Sequence, residues 1–378
     1  MLHPDKRSLC AVGLAATLLL AGCGSSASSL PASSTPPVAS SAPAEPEPTM
    51  KYSQTPTVPT ETYLDKSEFA DFLGMAEPQF LIPALSENLI PQGMDLCDET
   101  GILYISGYYS TKGKNSAIVA VDTASGELVA EYILKKPGNL AFDGHVGGVA
   151  VSDTTLYVSG TKDTEGRTTI LAIPLSDLPA EGSHEITVEN TIPVPVSPSF
   201  LSYSGGYLWV GNFYHPGADY VLSDGMHYTT ADADGNDLGC YIMGYAMPDG
   251  DTGLTVAEGD DYAQPDVVLV GPNKIQGVVV QDGAVTLSQS YGRTNNACLL
   301  HYALDLGETL DTVVTVNDRD VNAYILDSKR QTAAVTAMPM TEALADAPDG
   351  GIYVLFESGA IKYANGTDRT DHVWKIKF

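Results

Sequence analysis

Glu342 and Glu357 stand at the two ends of a short segment whose second half is the apolar run Ile352-Tyr353-Val354-Leu355-Phe356. If that segment is a hairpin, it returns the second carboxylate to the first. Two carboxylates flanking a pocket can act as acid and base, or as nucleophile, in glycoside hydrolysis. They can also bind a polar ligand without chemistry. Arg293 beside either glutamate would hold it ionised, which suits binding or a structural ion pair better than a raised acid pKa. His145, in the run Gly144-His145-Val146-Gly147-Gly148, could ligate a metal or shuttle a proton, although a lone histidine more often has a structural role. Asp232, Asp234 and Asn236 place oxygens at alternate positions, as at the start of a calcium loop. Asp237 stands where such a loop needs glycine, and Met243 where it needs glutamate, so a solvated acidic turn competes with calcium binding. The run GHVGGVA lacks the spacing of a dinucleotide-binding loop, and there is no nucleophile elbow or zinc signature.

The elements that must position these residues recur along the chain. Residues 144–160, GHVGGVAVSDTTLYVSG, read as two short apolar strands about a polar turn. Copies of this pair, each followed by two further strands, predict five units with strands A to D in order. The first occupies 92–96, 102–107, 117–122 and 127–132, and the second adds 169–173 and 186–192 to the opening pair. The third takes 200–203, 207–211, 240–245 and 267–270, and the fourth 277–280, 285–288, 298–302 and 333–338. The fifth has only 343–345, 352–356 and 372–377. Residues 78–83, PQFLIP, are the right size to supply its missing strand, which would close a ring. The expectation is an all-β, five-bladed β-propeller over 76–378, closed by an N-terminal strand.

Antiparallel order brings the start of every A strand and the end of every B strand to one rim. The A starts carry Gln92, His145 with Gly147, Ser199, Gln276 and Glu342, nearest the channel. The B ends carry Tyr108 and Tyr109, Lys162, Asn212 with Tyr214, Tyr291 with Arg293, and Glu357. Polar groups interleaved with aromatics suit hydrogen bonding and stacking to a sugar or peptide. The predicted ligand-binding set is Gln92, His145, Asn212, Tyr214, Gln276, Tyr291, Arg293, Glu342 and Glu357. The same groups could instead bond the connecting loops.

Residues 103–160 resemble the repeats of YVTN-type and NHL-type propellers, and the whole chain is similar to secreted bacterial lipoproteins of that type. The WD dipeptide and the kelch glycine doublet are absent. The resemblance implies a fold that hosts binding proteins, lactonases and glycosidases alike. Five-bladed glycosidases generally place three acidic residues at the channel, where the other A positions here are Gln, Gly, Ser and Gln. The leading expectation is therefore a non-catalytic binder of a polar ligand or envelope partner. A glycan or lactone hydrolase, or a purely structural envelope protein, is the alternative.

The N-terminus carries Lys6 and Arg7, an apolar run over 9–20, and Leu20-Ala21-Gly22-Cys23. The run suits a signal peptide over 1–22. The tetrapeptide resembles a lipobox, which implies a diacylglyceryl thioether on Cys23 and an extracytoplasmic membrane anchor; an ordinary secretory signal is the alternative. Residues 23–60, rich in Ser, Pro, Ala and Thr, read as a disordered tether. Residues 61–75 contain a short helical pattern, with Leu64, Phe69, Phe72 and Leu73 on one face and Gly74 as its stop. A net charge of −28 argues against nucleic acid as a partner, and a monomer is expected. Cys97, Cys240 and Cys298 remain as free thiols, or as one disulfide and one thiol.

Overall fold

Short runs of β-branched and aromatic residues bounded by turn formers become strands when both faces are covered. The computed structural model describes residues 49–217, 230–247 and 253–378. In the repeat unit, Val149–Val151 pairs antiparallel with Thr155–Ser159 about the expected turn. All eight of these residues are buried, because neighbouring blades pack against both faces of each sheet. That is why the strands read as continuous apolar runs.

Five four-stranded antiparallel blades result, with strands A to D running outwards. Blade 1 contains Ile90–Cys97, Ile102–Tyr108, Ala117–Asp122 and Glu127–Lys136. Blade 2 contains Val149–Val151, Thr155–Ser159, Thr169–Pro174 and Thr191–Pro193. Blade 3 is Phe200–Ser204, Tyr207–Gly211, Cys240–Ala246 and Val267–Gly271, and blade 4 is Ile275–Gln281, Ala284–Gln289, Ala297–Ala303 and Gln331–Ala337. Blade 5 is Thr341–Asp346, Ile352–Phe356 and His372–Ile376, completed by Ala76–Leu81, which pairs antiparallel with the last strand. Each A strand contacts the A strands of both adjacent blades, so the five close a ring. The apolar core is correspondingly divided into five clusters, one at each junction between blades.

Two outer edges carry strands that the repeat pattern does not contain. Gly182–Thr187, which overlaps the stretch expected to end blade 2, instead lies parallel to Glu127–Lys136 of blade 1. Thr312–Val316 and Arg319–Ile325 form a hairpin whose second arm lies parallel to Val267–Gly271 of blade 3. Both additions cover unpaired backbone that would otherwise be exposed.

The helical segment forms two single turns, Thr62–Asp65 and Ser67–Phe69, then a six-residue helix, Ala70–Met75. Tyr63, Phe69 and Phe72 insert into the junction of blades 4 and 5, where Phe72 meets Trp374 at 5.4 Å and Phe356 at 6.2 Å. Leu64, expected on the buried face, is 53% exposed, and Gly74 lies within the helix rather than ending it. Residues 51–58, read above as the end of the tether, are tied to the body. Glu131 accepts the backbone N–H groups of Lys51 and Tyr52, and Asp371 those of Thr57 and Val58. The signal peptide, Cys23 and the tether up to residue 48 lie outside the described residues.

Asp95 of blade 1 joins three inner strands. Its fully buried carboxylate accepts the N–H groups of Val151 in blade 2 and Tyr203 in blade 3, each at 2.9 Å. Desolvation raises its pKa well above the usual range despite those bonds. Asp95→Ala would take away the acceptor of a buried N–H, that of Val151, and of the partly buried one of Tyr203, so a loss of about 2–4 kcal/mol is expected in chemical denaturation. Asp95→Asn keeps an acceptor and is expected to lose less; equal losses would show that the two N–H groups are not what matters there.

Candidate functional site

Three of the five A strands are not regular where they reach the rim. Their pairing register shifts between Pro91 and Gly93, between Ile275 and Gly277, and between Thr341 and Leu344. These bulges re-aim Gln92, Gln276 and Glu342 into the mouth. The residues that follow the first two are glycines for a reason of space. A Cβ on Gly93 would lie 2.4 Å from the Val149 nitrogen, and one on Gly277 would lie 2.8 Å from the Leu344 nitrogen. Just below the mouth there is thus no room for a side chain between these adjacent inner strands.

Gln92, Gly147, Ser199, Gln276 and Glu342, the equivalent positions of the five blades, all line one cavity of about 730 Å³. His145, Tyr291, Arg293 and Glu357 line it as well, as do Tyr108 and Lys162. Of the predicted set, Asn212 and Tyr214 are the two that the fold keeps out. Asn212 is buried as a fastener between strands B and C of blade 3, accepting the Tyr241 N–H at 2.7 Å and donating to the Gly239 carbonyl at 3.3 Å. The Tyr214 ring packs on Gly239, where a Cβ would fall 2.0 Å from it. Phe213, between them, lines the cavity instead.

The two glutamates face each other's charge in surroundings that favour the neutral acid. Glu342 is 5% exposed and receives a hydrogen bond from the Gln276 amide at 3.2 Å. Burial, reinforced by the Glu357 charge, raises its pKa well above the ordinary range. Glu357 accepts from Gln92 at 2.9 Å and from the Tyr363 hydroxyl at 3.1 Å. Burial lifts its pKa to about 7, against the pull of those bonds and of Lys362 and Arg293. Arg293 does not hold either glutamate ionised: its guanidinium lies over the Tyr363 ring, 4.9 Å from the centroid, and desolvation outweighs its charge. Burial thus favours the protonated form of both carboxyls over that of an exposed glutamate, which suits hydrogen-bond donation as well as acceptance.

His145 stacks on Tyr108, with centroids 4.2 Å apart and planes 13° from parallel. Desolvation and the nearby Lys362 charge lower its pKa. His301 is engaged elsewhere, with Thr286 at 2.8 Å and the Phe378 ring at 4.4 Å, and His227 lies outside the described residues. Asp232 spends its carboxylate on its own loop, accepting from the N–H groups of Asp234 and Asn236 and from the Asn236 amide. These bonds, led by the Asn236 amide, lower the Asp232 pKa. No group of three His, Cys, Asp or Glu residues placed to hold a metal occurs among the described residues. Cys97 and Cys240 are buried free thiols and Cys298 is a half-buried one.

Three contributors were not singled out from the sequence. Tyr363 and Lys362 come from the turn Ile361–Tyr363, which joins strands B and C of blade 5. The strand order places all B–C connections over this rim, so that pair is a readable signal. Ser159 lines the cavity at the end of a B strand, and its buried hydroxyl has no hydrogen-bond partner among the described residues. No sequence pattern marks a hydroxyl that the fold leaves unpaired.

The fold and this mouth define a five-bladed β-propeller with a polar, carboxylate-bearing cavity at one end of its channel. No family model and no curated protein matches the chain. Among solved structures it is similar to a glucose dehydrogenase from Thermus thermophilus, at 14% identity and a TM-score of 0.38 over 80% of this chain and 99% of that one. The PQQ-bound aldose sugar dehydrogenase of Streptomyces coelicolor gives 14% and 0.40 over 80% and 97%. A GH43 β-xylosidase/α-arabinofuranosidase from a compost metagenome gives 12% and 0.40 over 79% and 93%. At these identities and TM-scores the likenesses carry no argument about this chain.

Proposed function

We propose that this protein is a lipid-anchored, extracytoplasmic propeller that captures a polar, hydroxyl-bearing small molecule in the mouth and carries out no chemistry on it. One observation carries the reading: the five equivalent inner-strand positions, with Glu357, line a single cavity of about 730 Å³. That volume is within the range of small-molecule sites. Polar side chains converge there from all five blades, which suits hydrogen bonding to the hydroxyls of a ligand. The anchor rests on the lipobox-like Leu20-Ala21-Gly22-Cys23.

The test uses the chain with Cys23 replaced by serine, screened by melting temperature against sugars and peptides. A ligand that shifts melting is expected to bind Gln276→Ala about fivefold more weakly, the worth of one hydrogen bond. A screen in which no polar compound shifts melting would remove the binding role. The glutamate pair specifically favours one second reading, hydrolysis of a glycoside or lactone, and there Glu357→Gln would abolish turnover with folding intact. The leading reading expects no turnover to lose.

A further inference from the structure

The central cavity is not isolated. It shares Tyr108 and His145 with a second cavity of about 360 Å³, and Ser290 and Tyr291 with a third of about 570 Å³. The second lies where blades 1 and 2 meet, with Thr111, Asp143 and Lys362 on its walls. The third lies where blades 3 and 4 meet, with His215, Asn273 and Asn295 on its walls. These junctions are two blades apart in a ring of five, so the side cavities flank the mouth from opposing directions. All three cavities open on the same rim, because B-strand ends and the connections above them line each one.

At each shared wall stands an exposed ring braced from behind. His145 is stacked on Tyr108 at 4.2 Å. Tyr291, 39% exposed, has Phe213 at 6.2 Å and 29° from parallel, and the His215 ring edge-on at 4.3 Å. Rings already held in place lose little freedom when a flat ligand face settles on them. Amides and hydroxyls line the path between them: Gln92, Ser199, Gln276 and Ser290. A peptide captured by strand addition needs an open sheet edge, whereas strand ends face this mouth.

Resting on the binding role proposed above, we infer that the ligand is a linear oligosaccharide of at least three units. It lies across the rim, with one unit beside Glu342 and Glu357 in the central cavity and its neighbours over the His145 and Tyr291 rings in the side cavities.

The experiment measures affinity by calorimetry for xylo-, cello-, manno- and chito-oligosaccharides of one to six units, on the chain with Cys23 replaced by serine. For the series that binds, affinity is expected to rise at least tenfold from one to three units and then level off. His145→Ala and Tyr291→Ala, each with its melting temperature checked, are expected to lose about three- to tenfold for the longer members and to flatten the dependence on length. A sugar bound with the same affinity at every length overturns the extended-chain inference and leaves the binding role standing. So does silence of all four series when a peptide or another polar compound shifts melting. Silence of every polar compound overturns both.

Discussion

A chain that begins at Ile82, lacking residues 49–81, is expected to lose its cooperative melting transition. The deletion removes the outer strand of blade 5, and with it the antiparallel partner of His372–Ile376. It also takes Tyr63, Phe69, Phe72 and Phe80 out of buried positions. Removing one large core aromatic costs about 3–5 kcal/mol, and four such losses reach the whole stability of an ordinary domain, about 5–15 kcal/mol. The backbone strap at 51–58 goes too, leaving the fully buried Glu131 and the 3%-exposed Asp371 without the N–H groups they accept. Phe72→Ala grades the same effect, with an expected loss of about 3–5 kcal/mol in a folded protein. Calorimetry on the truncated chain decides the matter: a transition within a few degrees of the full chain's would mean that the ring does not depend on its N-terminal strand.

The second large effect is a dependence of stability on pH that starts at the mouth. Burial lifts the pKa of Glu357 to about 7, from an ordinary 4.5, and raises that of Glu342 well above the ordinary value too. Between about pH 4.5 and 7 the folded state therefore binds more protons than the unfolded chain, and stability falls as pH rises. For Glu357 the full displacement corresponds to about 3 kcal/mol, with Glu342 adding to it in the same direction. Charged groups around the pair limit the effect: Lys362 and Arg293 pull the Glu357 pKa down, as do the bonds from Tyr363 and Gln92. The Glu342→Gln, Glu357→Gln double variant keeps the shape and drops the charge. It is expected to melt several degrees above the wild type at pH 8, and close to it at pH 4. Carboxylates whose pKa is lowered, such as Asp349 between Lys375 and Lys377 and Asp371 beside His372, act with the opposite sign at more acidic pH and are common to both proteins. A double variant that melts no higher than wild type at pH 8 would show that the glutamates are not held neutral.

Much of the architecture was readable because strand formation here follows local signals. Apolar runs such as 117–122 and 352–356, bounded by turn residues, mark strands wherever they fall, and the three-strand count of the last unit pointed to 78–83 for closure. The hairpin of Thr312–Val316 and Arg319–Ile325 was also readable in principle. Its turn places Asn317 and Asp318 at positive φ, the preferred chemistry of a tight hairpin. By contrast, the passage of Gly182–Thr187 to a neighbouring blade has no local signature, since an outer edge accepts any strand of suitable length. The strap shows the same limit. Its composition cannot bury a core by itself, but carboxylates contributed from residues 131 and 371 hold its backbone.

For the site, strand direction was enough to send Gln92, Gln276, Glu342 and Glu357 to one rim, because antiparallel order is a rule of connectivity. It was not enough to separate Asn212 and Tyr214 from Phe213, since a single-residue change of facing at the end of a strand depends on what packs behind it. The sequence by itself determined the number and order of the blades and the rim that carries the polar residues, through patterns a few residues long. Only the tertiary structure decided the character of that rim. Bulges turn Gln92, Gln276 and Glu342 inwards, and the surrounding blades strip water from two carboxyls and leave Ser159 unpaired. Desolvation and like-charge proximity depend on everything within a few ångströms in space, and the groups that act on these two carboxyls come from blades 1, 4 and 5, far apart in the chain.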